Sequence, residues 1–176
     1  MTPIELENLL KIIRAEGSNK TSPIHGERHW QHVAWIGYYL ISETPGANPL
    51  VVLLFAMLHD SMRVNDGTDL GHGPRAAVFA KELQGRAFNL SDADLQILMD
   101  ACHRHTDGQL SDDPTTAVCW DSDRLQLWRI GRKPHPQFLS TAAAKRPVYV
   151  DWSAYVELQN FAWEVIFAKY STLDLL

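Results

Sequence analysis

Nine consecutive apolar residues, Leu50-Val51-Val52-Leu53-Leu54-Phe55-Ala56-Met57-Leu58, stand between Asn48-Pro49 and the polar pair His59-Asp60. Proline suits the first position of a helix, so the run predicts a third helix that is apolar all round and therefore central and buried. On either side of it the pattern has helical period. Thr2-Pro3-Ile4-Glu5 predicts a capped start for a first helix that ends near Gly17. His29, Val33, Ile36, Gly37 and Leu40 recur along one face of a second helix, about Glu27 to Ser42, stopped by Pro45-Gly46. Gly73-Pro74 opens a fourth helix that stops at Gly85. Ser91, with Asp94 three residues on, caps a fifth through about His103, and Asp113-Pro114 starts a sixth that ends at Gly131. A short helix from Ser140 and a final one from about Trp152 to Tyr170 complete the count. No stretch alternates as a half-buried strand would, so the expectation is an all-α, single-domain helical bundle spanning 1–176. Between the third and fourth helices, Ser61 to Gly71 is polar and turn-rich, with Asn65-Asp66-Gly67 at its middle. Such loops on a rigid scaffold are common binding elements.

Composition narrows the function classes. A chain of 176 residues that is 45% apolar suits one domain with a sizeable core. It has no apolar run of the roughly 18 residues that would suggest a membrane span, and Met1-Thr2-Pro3-Ile4-Glu5 lacks the basic-then-apolar design of a signal peptide, so a cytoplasmic location is expected. Cys102 and Cys119 form neither a CxxC motif nor a disulfide framework and read as small core residues. A net charge of −5 gives no broad attraction to a nucleic acid polymer, while leaving room for a local cationic pocket that takes a small phosphorylated compound. There is no phosphate-binding G-x-x-x-x-G-K-[ST] loop, no G-x-G-x-x-G after a strand and no nucleophile elbow. The six tryptophans, with Trp30, Trp35, Trp152 and Trp163 near the starts or middles of predicted helices, read as core or groove lining, with stacking on a base as the functional alternative.

The chemistry begins with His59 and Asp60. A carboxylate buried at the end of a greasy helix requires a hydrogen bond, a cation or a metal ion. Adjacent residues diverge by about 100° on a helix, so an ion shared by the two lies between them, near the helix end. The simpler alternative is a doublet that caps the helix and hydrogen-bonds locally. His29 upstream, with Asp121 and Asp123 downstream, adds nitrogen and oxygen donors suited to a divalent transition metal, and a helical bundle can bring such dispersed residues together.

The order His29, then His59-Asp60 within Ala56-Met57-Leu58-His59-Asp60, then Asp123 within Asp121-Ser122-Asp123-Arg124-Leu125, resembles the metal-dependent HD-domain phosphohydrolase superfamily and its H…HD…D signature. The resemblance covers residues 25–131, with C-terminal helices over 140–170 packing on that region. Val33 follows His29 at the family's spacing, which favours His29 over His25 or His32. The Arg-Leu pair after Asp123 favours it over Asp121. One local departure is Ser61-Met62, where many members place a small apolar residue and glycine.

The resemblance implies that His29, His59, Asp60 and Asp123 hold a divalent transition metal (Mn, Fe, Co, Ni or Zn), with His59 and Asp60 as the catalytic pair and a phosphomonoester or phosphodiester of a small phosphorylated metabolite, a nucleotide foremost, as substrate. In some members additional histidines hold a second metal, so one or two ions per chain are expected. His72 and His105 are placed for that role, and His103, two residues from His105, faces elsewhere on a helix. Asp121 reads either as a group that orients a histidine ligand or as solvent-facing, and Arg124 either pairs with it or meets a phosphate. Arg75, in the first turn after Gly73-Pro74, is a candidate phosphate ligand, with Arg63, Lys133, Lys145 and Arg146 weaker versions of the same reading. His25 either lines the pocket or caps the second helix. Two rival readings stand beside hydrolysis: an HD-type di-iron oxygenase, and a metal- or nucleotide-binding regulatory module without catalysis.

Overall fold

A computed structural model describes residues 1–18, 20–107 and 109–173. Within them the chain forms eight α-helices: α1 (Pro3–Glu16), α2 (Glu27–Ile41), α3 (Pro49–Leu58), α4 (His72–Leu83), α5 (Asp92–Arg104), α6 (Pro114–Arg124), α7 (Pro147–Glu157) and α8 (Trp163–Tyr170). Two 3-10 turns, Leu127–Ile130 and Pro136–Phe138, lie between α6 and α7. No strand occurs among the described residues beyond one isolated bridge, Gln84 to Phe88. The all-helical reading therefore stands. None of the described helices is long and apolar enough to cross a membrane.

Helix α3 is the axis of the molecule. Every residue from Leu50 to Leu58 is buried, because α3 is packed on several sides by α2, α5 and α6, and touched by α1, α4 and α8. Its start is pinned by Asn48. The Asn48 side chain accepts from the Leu50 and Val51 N–H groups at 3.0 and 3.3 Å and donates to Asp94 Oδ1 at 3.0 Å, while its own N–H donates to Thr115 Oγ1 at 2.9 Å. One residue thus caps α3 and ties it to the N-terminal ends of α5 and α6. With that end fixed, His59 and Asp60 emerge at the other end, inside the bundle.

Two glycines allow the helices to approach closely enough to build a site there. A Cβ on Gly37 would lie 2.7 Å from Val52 Cγ1, which sets α2 tightly against α3. On Gly73 it would meet the carbonyl oxygens of His103 and Cys102 at 2.6 and 2.8 Å, so the start of α4 rests directly on the end of α5.

The predicted elements hold through α5, including the Thr2–Glu5 capping box and a positive φ of 75° at Gly85 just beyond α4. The C-terminal third differs. The sixth helix stops at Arg124 rather than running to Gly131; the chain tightens into the 3-10 turn and ends on Gly131 in the left-handed conformation, φ 71°. The helix expected from Ser140 is only a series of turns before α7 begins at Pro147, and the Asp121 carboxylate holds its first N–H groups, those of Ser140 and Thr141, at 2.7 Å each. The helix expected from Trp152 to Tyr170 is two helices. α7 begins at Pro147, and the break at 158–162 is held by tertiary contacts: His32 Nε2 meets the Gln159 carbonyl at 3.0 Å, and Phe161 stacks on Trp35 at 4.2 Å.

Candidate metal centre

Three helices deliver the expected donors to one place. His29 comes from the first turn of α2, His59 and Asp60 from the end of α3, and Asp123 from the last turn of α6. All are buried, Asp123 least so at 9% exposure. His29 Nε2 lies 3.1 Å from His59 Nε2 and 3.2 Å from Asp123 Oδ1, and His59 Nε2 lies 3.9 Å from that oxygen. Asp60 Oδ2 is 3.6 Å from both imidazole nitrogens. Donors bound to one transition ion at about 2.0–2.2 Å stand about 3 to 3.5 Å from each other, so the 3.1 and 3.2 Å spacings fit the edges of a coordination shell and the 3.6 and 3.9 Å ones lie just outside it.

The hydrogen bonds behind the donors point the same way. His59 Nδ1 lies 3.1 and 3.2 Å from the carbonyl oxygens of Phe55 and Ala56, which can only accept. The proton therefore sits on Nδ1 and leaves the Nε2 lone pair facing the cluster. Phe55 stacks on the ring at 4.8 Å and fixes its plane. Asp123 Oδ1 is buried and accepts no well-formed hydrogen bond, although it lies among two imidazole nitrogens and, at 3.5 Å, the Arg129 guanidinium. Buried polar atoms are rarely left so, and a cation among these donors resolves it.

The protonation states match. Burial first, and then the charge of Arg129, pushes the His29 imidazole down to about 3; burial pushes His59 down to about 4. Burial alone would raise both carboxyls. For Asp60 the neighbouring imidazoles His59, His105 and His29 outweigh it and hold the group well below the usual carboxylate range. For Asp123 the Arg129 charge and the contact with His29 do the same. Neutral nitrogens with anionic oxygens at neutral pH are the form in which such residues bind a metal. Two triads among the described residues are compact enough to share an ion: His29, His59 and Asp123, and His59, Asp60 and His105.

Asp60 faces both ways. Its Oδ1 lies 3.3 Å from His72 Nε2 and 3.6 Å from His105 Nε2, and these two nitrogens are 3.0 Å apart. His72 Nδ1 contacts the Asp69 carbonyl and His105 Nδ1 the Cys102 carbonyl, the latter at 2.7 Å. His72 and His105 thus come to the doublet, while His103 is exposed. Burial lowers the His72 pKa; it would lower that of His105 too, but the Asp60 carboxylate outweighs it and the net shift is upward.

Other candidates lie elsewhere. Asp121 is on α6 two residues before Asp123 and faces away from it, holding the Ser140 and Thr141 backbone. It orients a loop and is itself fully buried, so it is neither a solvent-facing group nor the partner of a histidine ligand. Arg75 gives its Nε to the Met62 carbonyl at 3.0 Å and its Nη2 to Asp69 at 2.5 Å, so it ties the 61–71 loop to α4. His25 contacts Asp66 at 3.2 Å, and Gly26 is the N-cap of α2. Arg124 donates to the Phe138 carbonyl at 2.8 Å and lies over Trp120, Lys133 meets Asp151, Arg146 meets Glu43, and Lys145 is exposed. Cys102 and Cys119 are free, buried thiols whose pKa burial pushes up.

Two guanidinium groups do reach the cluster. Arg63 Nη1 lies 3.4 Å from Asp60 Oδ1 and 3.0 Å from His72 Nε2. Arg129 Nη2 lies 3.5 Å from Asp123 Oδ1, and its Nε is buried without a partner. The sequence pattern gives no sign of Arg129. On a continuous helix, six residues at about 100° each would leave it about 120° away from Asp123; the end of α6 and the 3-10 turn bring it back. Comparison of the chain with protein-family models, with curated proteins and with solved structures found no match.

Proposed function

We propose that this protein is an HD-domain metal-dependent phosphohydrolase that acts on a small phosphorylated metabolite, with nucleotides the first class to test. The observation that carries the reading is the convergence of His29, His59, Asp60 and Asp123, dispersed along the sequence in the order that resembles the superfamily, onto one buried cluster with metal-ligand spacing. His29 and His59 would bind the ion through Nε2, and Asp60 and Asp123 through carboxylate oxygens. A divalent ion there would polarise a phosphoryl oxygen and acidify a water molecule.

The charges around the cluster support phosphate as the ligand. Two carboxylates, Asp60 and Asp123, face two guanidiniums, Arg63 and Arg129. A divalent ion adds two positive charges to that balanced set, the complement of a phosphomonoester dianion. Arg129, whose Nε has no partner, is the group best able to turn a donor to a phosphate oxygen and to offset charge that develops on it. His59, fixed by its backbone contacts and by Phe55, keeps its nitrogen in place without reorganisation.

The test combines metal analysis of the purified protein with a screen of phosphorylated metabolites on the same sample. Metal-dependent phosphate release that is abolished in Asp60→Asn, with helical far-UV circular dichroism retained, is the expected result. Full activity in Asp60→Asn with metal still required would refute the mechanism. Oxygen consumption with turnover would instead support the di-iron oxygenase reading, and tight nucleotide binding without conversion would support a regulatory module.

A further inference from the structure

His72, His105 and Asp60 Oδ1 have the outline of a second cation site beside the first, and that outline already contains a cation. Arg63 Nη1 lies 3.0 Å from His72 Nε2, 3.2 Å from His72 Nδ1 and 3.4 Å from Asp60 Oδ1. The side chain is held from behind. Its Nη2 donates to the Gly67 carbonyl at 2.9 Å and its Nε to the Asn65 carbonyl at 3.3 Å. The backbone that carries it is fixed as well, since Ser18 Oγ donates to the Arg63 carbonyl at 2.7 Å and Arg75 donates to that of Met62. At 6% exposure the guanidinium is enclosed by the loop and cannot swing into solvent without breaking these bonds.

We infer that Arg63 takes the place of a second metal ion, so that the cluster binds one divalent ion per chain and His72 and Asp60 Oδ1 serve the guanidinium instead of a metal. This rests on the proposed metal centre and deepens it.

Charge and ligand count support the inference. A second ion here would have two neutral imidazoles and one oxygen of Asp60, a carboxylate already shared with the first ion. The carboxylates of the loop are engaged elsewhere: Asp66 meets Ser22 and His25, and Asp69 is occupied by Arg75 and by the N–H groups of Val64 and Gly71. The ion would also face a fixed guanidinium at close range in a buried site, where charges of like sign repel far more strongly than in water. With one ion the two carboxylates and two guanidiniums leave a surplus of two positive charges. With two ions the surplus is four, beyond what a single phosphate dianion balances.

The experiment counts metal without using activity. Wild type, Arg63→Ala, Arg63→Met and the double variant Arg63→Ala/His72→Ala are saturated with Mn2+, freed of unbound ion by gel filtration, and analysed for manganese per chain, with paramagnetic resonance to detect coupled pairs. One ion in wild type, two in either Arg63 variant with a coupled signal, and one again in the double variant is the expected pattern. Two ions in wild type, or one in a folded Arg63 variant, overturns the inference while leaving the metal centre intact. No ion in wild type under saturation overturns the metal-centre reading itself, and the inference with it. Should both Arg63 variants fail to fold, the wild-type count still decides, since two ions refute a site filled by Arg63 and one supports it.

Discussion

Asp121 and Asp123 lie two residues apart on one helix, both buried, and the structure assigns them opposite tasks. Asp121 offers one oxygen to the Ser140 N–H and the other to the Thr141 N–H, each at 2.7 Å. Asp121→Asn replaces one of those oxygens with an NH2 group, which faces an N–H it cannot accept from. A hydrogen bond to a charged group contributes about 1.5–3 kcal/mol, and a buried donor left without a partner costs about 1–3 kcal/mol. Burial pushes the Asp121 pKa up, so part of the carboxylate's gain is already offset by desolvation. A net loss of about 3 kcal/mol follows, which for a chain of this length lowers Tm by about 6–12 °C. Metal affinity should be unchanged within the error of a chelator-competition titration, because no Asp121 oxygen faces the cluster. Asp123→Asn should do the reverse in that titration. It removes one of the two anionic oxygens facing His29 and His59, and affinity should fall at least about 100-fold, or about 2.7 kcal/mol. Thermal unfolding in chelator gives the first number and competition titration the second. A loss of metal binding in Asp121→Asn, with Asp123→Asn binding as wild type, would refute the assignment of the α6 face.

Acid should act through the neutral imidazoles. His29 and His59 have folded-state pKa values of about 3 and about 4, below the 6.5 of the free side chain, so as pH falls from 6.5 the unfolded chain takes up protons that the folded one does not. The metal-free protein should therefore lose stability by up to about 1.4 kcal/mol per pH unit per imidazole between pH 6.5 and about 4. His105, raised rather than lowered, opposes this near neutral pH. Denaturant unfolding that is flat across that window would contradict the burial of neutral histidines. Arg129→Gln should keep the helical fold and the bound metal while weakening competitive inhibition by inorganic phosphate about tenfold, the effect of losing roughly one charge-assisted hydrogen bond. Equal inhibition in the variant would remove Arg129 from the phosphate site.

Local patterns in the chain determined the helical class and most of the first five helices. The Asn48-Pro49 start, the apolar run to Leu58 and the caps at Thr2 and Ser91 act between near neighbours, and nothing in the packing opposed them. The convergence of His29, His59, Asp60 and Asp123 was legible too, because each lies on a helical face or end that has to be buried. Other features depended on contacts between distant residues. His32 and Trp35 hold the break at 158–162 in the C-terminal helix through Gln159 and Phe161, and Asp121 anchors the Ser140 and Thr141 backbone. The turn after Arg124 aims Arg129 at Asp123, and the 61–71 loop wraps Arg63 against His72. A long cationic side chain carries no periodic signal of its own, since its stem can reach solvent or a buried carboxylate from the same backbone position. Only the packing that closes off the solvent decides which it meets.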